Sequence, residues 1–146
     1  MNKFTRVALP FAIALALSAC QETPAETQED VAKAQAEAAE EVGEARADAA
    51  EVAAEANQDV NEAWAEGDDI AGAQADATED TAEARHAVAM ERAEGALEIA
   101  EQRCDALPDQ ERDACDAAAK AEYEAAKAVA DAELKAAENT AEAIDG

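Results

Sequence analysis

Cysteine thiols are the side chains of this chain with the most distinctive chemistry. There are three, Cys20, Cys104 and Cys115. A thiol can be acylated, can join a disulfide or can bind a metal ion, and its surroundings decide between these fates. Each of the three must therefore be read together with the segment that positions it.

Residues 1–19 have the features of an export signal. Lys3 and Arg6 provide a basic start, an apolar run covers residues 7–16, and small residues follow. The run is too short for a transmembrane helix, which needs about 20 apolar residues. We therefore expect residues 1–19 to be a signal peptide that is removed, and the mature chain to be tethered to a membrane without spanning it.

Leu17-Ser18-Ala19-Cys20 ends this signal and resembles the lipobox of bacterial lipoproteins. The resemblance implies cleavage before Cys20, a diacylglycerol on its thiol and a fatty acyl chain such as palmitate on its new amino group. Three acyl chains suffice for stable anchoring. Because Gln21 and not Asp follows Cys20, the resemblance also implies the periplasmic face of the outer membrane. The alternative is ordinary cleavage near Ala19 with an unmodified Cys20.

Cys104 and Cys115 remain as an even pair in an oxidising compartment once Cys20 is assigned to lipid, which favours a disulfide. The segment between them contains Pro108, which suits the first turn of a helix but not its interior. A helix ending near Cys104 and another starting near Pro108 would bring the two sulfurs together at the neck of a hairpin. A redox-active pair and half of a metal site are the alternatives.

The composition excludes a large apolar core. From Cys20 onward the chain has 41 Ala in 127 residues, but only 12 Val, Ile, Leu or Phe. The full chain carries 36 acidic and 11 basic residues, a net charge of −25, and loss of Lys3 and Arg6 would leave −27. Such a surface repels polyanions, so we expect no nucleic-acid partner.

Helix-forming residues and alanine seams predict long helices along the mature chain. Residues 20–28 read as a flexible tether, residues 29–66 as one long helix, residues 67–74 as a break and residues 75–146 as a helical hairpin. The seam of the first helix repeats every three or four residues, as in a coiled coil. Its members are Val31, Ala34, Ala38, Val42, Ala45, Ala49, Val52, Ala56, Val60 and Ala63.

The hairpin has one seam on each arm. These seams predict an elongated all-α protein in which a disulfide staples the last two helices into an antiparallel hairpin. Alanine contacts bury little area, so we expect the first helix to fray or to form a homo-oligomer through its seam. The hairpin seams run through Ala82, His86, Met90, Ala93, Leu97, Ala100 and Cys104, and through Ala119, Tyr123, Ala126, Ala130, Leu134, Ala137, Ala141 and Ile144.

The remaining residues give little support for an enzyme, a cofactor or a metal site. His86 lies on an apolar stripe, which favours a packed histidine over an exposed one or a metal ligand. Trp64 lies near the end of the first helix, where its position by the stripe favours a helix contact over a binding hot spot. The densest acidic cluster does not match an EF-hand loop and predicts only diffuse cation screening; it comprises Asp68, Asp69, Asp76, Glu79 and Asp80.

Two resemblances extend beyond the signal. A lipobox followed by a helical rod resembles the murein lipoprotein of enteric bacteria, which implies a coiled-coil spacer at the outer membrane. The C-terminal Lys that attaches that family to peptidoglycan is absent, since the chain ends Ile144-Asp145-Gly146. The sequence RCDAL from Arg103, followed by RDAC from Arg112, is similar to a pattern in small exported proteobacterial proteins of uncharacterised function.

These observations predict a non-enzymatic lipoprotein that is anchored to the outer membrane through Cys20. It would act as an acidic helical spacer, or as a docking element for another envelope protein. The competing hypothesis is a largely disordered, stress-protective polyanion, similar to late-embryogenesis-abundant proteins in its Ala, Glu and Lys content.

Overall fold

The computed structural model describes residues 23–146 and contains three long α-helices in this range. They are α1 (Pro24–Glu66), α2 (Ile70–Asp105) and α3 (Asp109–Asp145), joined by two short turns. Within these residues there is no strand, so the predicted all-α class is confirmed. The 43 residues of α1 give the molecule a length of about 65 Å at about 1.5 Å per residue.

Helix α1 begins earlier than the sequence analysis predicted. Thr23 caps it: the Thr23 Oγ1 accepts a hydrogen bond from the Glu26 N–H, and the Thr23 N–H donates to Glu26 Oε2 at 2.9 Å. Pro24 occupies the first turn, where its missing N–H has no cost. Residues 24–28, which were assigned to a tether, are therefore helical.

The turn between α1 and α2 is shorter than predicted. Gly67 ends α1 with a φ of 75°, a left-handed conformation that glycine adopts without strain, and its N–H donates to the Ala63 carbonyl. Asp69 caps α2 by accepting a hydrogen bond from the Gly72 N–H at 3.0 Å. The expected break at residues 67–74 thus covers only three residues, and α2 starts at Ile70.

The three helices form a single flat layer with α2 in the middle. Both α1 and α3 pack against α2, and no Cα of α1 lies within 8 Å of α3 in the described chain. Gly95, on the α1 side of α2, is nine residues from both His86 and Cys104, which face α3. At 100° per residue this spacing puts the two interfaces on opposite sides of α2.

The fold-back of α1 corrects the expectation that this helix stands apart from a two-helix hairpin. Its predicted seam faces α2 and is buried or half-buried along its length. A Cβ added at Gly95 would lie 2.5 Å from the Ala38 Cβ, so the missing side chain permits this close approach. The buried apolar residues are mostly alanine, namely Ala34, Ala38, Ala56, Ala75, Val88, Ala93, Cys104, Ala119, Ala130 and Ala141.

Candidate functional site

The neck between α2 and α3 contains the predicted disulfide. Cys104, in the last turn of α2, is bonded to Cys115 in the second turn of α3, with 5.6 Å between their Cα atoms. Cys104 is fully buried, so its sulfur is shielded from solvent. The expected pairing is confirmed, and it joins the two arms where the chain reverses.

Arg112 stabilises the same neck, which the sequence analysis did not foresee. Its Nη2 donates hydrogen bonds to the carbonyls of Asp105 at 3.1 Å and Leu107 at 3.3 Å, where α2 ends. The carboxylates of Asp105 and Asp109 lie 3.9 Å from its guanidinium. Because carbonyls at a helix C-terminus lack helical partners, this cation supplies donors where they are needed. An arginine one turn into the helix after a tight turn is the signal that could have revealed it.

His86 is a packed residue that connects α2 to α3. Its Nε2 lies 2.8 Å from Oδ1 of Asp131, and about a quarter of its side chain is exposed. The pair spans the interface near the middle of both helices. Among residues 23–146, no group of three His, Cys, Asp or Glu side chains is arranged to hold a metal ion. The structure therefore gives His86 an inter-helix role.

Trp64 is exposed, so the expected helix contact is wrong. Its exposed fraction is 62%, and it lies on α1 three residues before Gly67. Counted at 100° per residue, Trp64 is about 100° from its neighbour Ala63, which faces α2. Proximity in sequence to the seam misled the prediction, whereas the helical angle gives the correct side.

The predicted acidic cluster is spread over the turn and the start of α2. Asp69 has a structural role as the N-cap, and the other four carboxylates, of Asp68, Asp76, Glu79 and Asp80, are exposed. A carboxyl pKa is shifted at the start of α1. There the Thr23 N–H and hydroxyl donate to Glu26 and hold its pKa below the ordinary value.

Cys20 and the signal peptide lie outside the described residues. The first described helix starts at Pro24, beside an open groove of about 420 Å³ whose walls include Val31 of α1 and Arg103 and Ala106 of α2. The N-terminus of α1 thus lies at the disulfide end of the molecule. None of the helices in residues 23–146 has an apolar stretch long enough to cross a bilayer.

The grooves along α2 are open and lined mainly by alanine and charged side chains. One runs between α1 and α2 and includes Glu44, Asp48 and Glu91, and another between α2 and α3 includes Arg85 and Glu133. Such surfaces suit binding of another surface more than enclosure of a small substrate. Comparisons with protein-family models, curated proteins and solved structures found no match.

Proposed function

We propose that this protein is a non-enzymatic lipoprotein of the outer membrane, anchored through Cys20, that extends an acidic helical rod into the periplasm. Its role would be to space envelope components or to dock another envelope protein. The observation that carries the proposal is that the two ends of the rod differ. Helix α1 begins at one end, and Trp64 is exposed near the other.

The anchored end would be the disulfide neck. Only two residues lie between Cys20 and the Thr23 cap, so acyl chains on Cys20 would hold the start of α1 close to the lipid surface. The neck lies at this same end, as the groove between Val31 and Arg103 demonstrates. The disulfide and the helix cap would limit fraying of the helices at the end that the lipid anchor holds.

The free end is acidic and carries the exposed aromatic residue. No Lys, Arg or His occurs between Arg46 and Arg85, a segment that covers the second half of α1 and the start of α2. Residues after Lys135 also contain only acidic charges. A partner that docks here would present basic side chains, because opposite charges steer association and arginine stacks well on tryptophan.

Membrane fractionation of cells that express Cys20→Ser tests the anchor. We expect the wild-type protein in the membrane fraction and the variant in the soluble periplasm, with acyl chains on the amino-terminal cysteine detected by mass spectrometry. The matched control is Cys104→Ala with Cys115→Ala, which removes the other two cysteines and their disulfide and should leave anchoring intact. Membrane retention of Cys20→Ser at the wild-type level would overturn the proposal.

Site-specific photocrosslinking tests docking at the free end. A photoreactive residue at position 64 should capture an envelope protein, whereas one at exposed position 36, near the anchored end, should not. Glu62→Gln and Glu66→Gln, which neutralise acids at the same end but on the opposite side of α1, should weaken that capture by reducing electrostatic steering. Equal capture from positions 64 and 36 would contradict docking at the tip.

A further inference from the structure

The helical layer has two faces of different charge. At 100° per residue, every Asp and Glu of α1 falls within an arc of about 120°, and the same holds for every Asp and Glu of α2. The grooves show that the two arcs open on one side of the layer. Glu41 and Asp48 share one groove with Glu91, and Asp59 shares another with Glu83. We call this side the acidic face.

The opposite side, here called the arginine face, carries arginines and uncharged residues on α1 and α2, and glutamates such as Glu133 on α3. Arg85, Arg92 and Arg103 lie about 180° from the middle of the acidic arc of α2. On α1, Arg46 and Trp64 are eighteen residues apart, five full turns, and so lie on one line that also avoids the acidic arc. All four arginines are exposed.

Shared grooves place one side of α1 and one side of α3 next to the arginine side of α2. Arg103 of α2 shares a groove with Gln28 and Gln35 of α1, and Arg85 of α2 shares one with Glu133 of α3. Val129 lies one turn before Glu133 on α3 and is 59% exposed. Both large exposed apolar side chains, Trp64 and Val129, are therefore on the arginine face.

We infer that the arginine face binds a second copy of this chain, giving a two-layer dimer whose acidic faces point outward. A single layer of helices leaves one broad side of each helix without a partner, whereas stable helical domains normally pack two layers. The alanine-rich arginine face permits close approach of a second layer. The acidic face cannot form the dimer interface, since two such faces would repel each other.

The charges of α1 and α3 suit this pairing. A twofold axis parallel to the helices places α1 of one copy over α3 of the other. The contacts of Ala38 with Gly95 and of His86 with Asp131 put Arg46 at the level of Glu133 along the rod. Arg46 of one copy would then face Glu133 of its partner. Trp64 lies beyond the level where α3 ends, so the dimer leaves it free.

The arginine face is large enough for a stable dimer interface. A face about 60 Å long and about 25 Å wide, from three helices spaced about 9 Å apart, offers about 1,500 Å². Standard stable interfaces use about 800 Å² per partner. Covering little more than half of the arginine face would therefore reach this size. The inference does not depend on lipid at Cys20.

Sedimentation equilibrium of the purified full chain carrying Cys20→Ser tests the dimer. We expect reversible association to twice the monomer mass, which tightens when salt rises from about 0.05 M to about 0.5 M because salt screens the repulsion between two acidic molecules. Ala96→Glu, exposed on the arginine face of α2, should raise the dissociation constant at least about tenfold, as should Val129→Glu. Circular dichroism checks that each variant keeps its helices.

The matched control is Ala87→Glu, which adds the same charge at an exposed position on the acidic face of α2 and should leave dimer formation much less affected. A monomer at all concentrations overturns the inference, as does a dimer weakened equally by Ala87→Glu and Ala96→Glu. Binding of a monomer to vesicles of phosphatidylethanolamine and phosphatidylglycerol, lost in Ala96→Glu, would assign the face to the bilayer and also overturn it.

Discussion

The two sides of α2 are held to their neighbours in different ways. Toward α3 there is a disulfide from Cys104 to Cys115, the guanidinium of Arg112 on the end of α2, and the pair of His86 with Asp131. Toward α1 the contact depends on shape, with Ala38 set against Gly95. One helix thus carries a cross-linked polar interface on one side and a close-packed interface of small residues on the other.

This difference predicts which half of the molecule opens first. Burying an alanine side chain contributes much less than burying leucine, at about 25 cal/mol per Å², so the α1 interface has little free energy to lose before it separates. The α3 interface is also held by the covalent bond, which limits separation at the neck. We expect α1 to detach while α2 and α3 remain paired.

Removing the disulfide should reduce the difference in strength between the two interfaces more than any other change. The bonded cysteines are 11 positions apart in the sequence. Replacing both, with Cys104→Ala and Cys115→Ala, opens the loop that the disulfide closes and should lower the free energy of unfolding by about 3 kcal/mol. Urea unfolding followed by circular dichroism measures the loss. Wild-type protein treated with a thiol reductant should lose a similar amount, and a loss below about 1 kcal/mol would make the two interfaces equivalent.

Gly95→Ala should weaken the α1 interface selectively. The new methyl group would lie 2.5 Å from the Ala38 Cβ, an overpacking that costs about 1–3 kcal/mol, against a gain of about 1 kcal/mol in helix propensity. The control is Gly43→Ala on the exposed side of α1, where a Cβ meets nothing within 4 Å and should stabilise the helix by about 0.5–1 kcal/mol. Both are measured by urea unfolding at concentrations where the chain is monomeric. Equal stabilisation by both would refute the close contact.

Arg112→Lys should loosen the neck by about 1 kcal/mol, since lysine keeps the charge but lacks the planar guanidinium that holds Nη2 within reach of the carbonyls of Asp105 and Leu107. Thermal unfolding of the oxidised protein measures this effect. Arg92→Lys, on the exposed surface of α2, is the matched control and should leave the melting temperature of the monomer unchanged. A neck that tolerates both changes alike would not depend on the guanidinium.

Acid should fray the start of α1, where Glu26 takes part in the capping box. The folded pKa of Glu26 lies below its ordinary value of 4.5, because Thr23 donates to the carboxylate. The stability that it adds is therefore complete above pH 4.5 and is lost as the pH falls through the lowered pKa. Amide chemical shifts of the first turn should follow this titration, and Glu26→Gln should abolish it. Titration at the ordinary carboxyl value would contradict the capping box.

Much of the fold could be predicted because helix seams and the cysteine pair are local patterns. The seam of α1 faces α2 as its spacing predicted, and Cys104 is bonded to Cys115. The start of α1 was also within reach, since Thr23-Pro24-Ala25-Glu26 has the form of a capping box with proline in the first turn. Residues 20–28 have no apolar repeat, which favours a tether, but the capping box starts the helix without one.

The packing of α1 against α2 could not be predicted from such local patterns. Helix α2 has small residues on two opposite sides, so no single stripe stands out, and only the stripe that faces α3 was recognised. Glycine lowers helix propensity, so Gly95 has the sequence signature of a weak point in α2, whereas its lack of a side chain admits Ala38. Which helix meets which depends on such long-range fits, and a one-helix pattern does not contain them.

Native-state hydrogen exchange, resolved by residue on the oxidised monomer, tests most directly whether α2 serves two interfaces of unequal strength. We predict that the amides of the buried α1 positions Ala34, Ala38 and Ala56 exchange through an opening of lower free energy than those of Ala119 and Ala130 in α3. Gly95→Ala should accelerate exchange in α1 alone. The claim of two unequal interfaces would be contradicted if the amides of all three helices exchanged through one common opening and Gly95→Ala accelerated them equally.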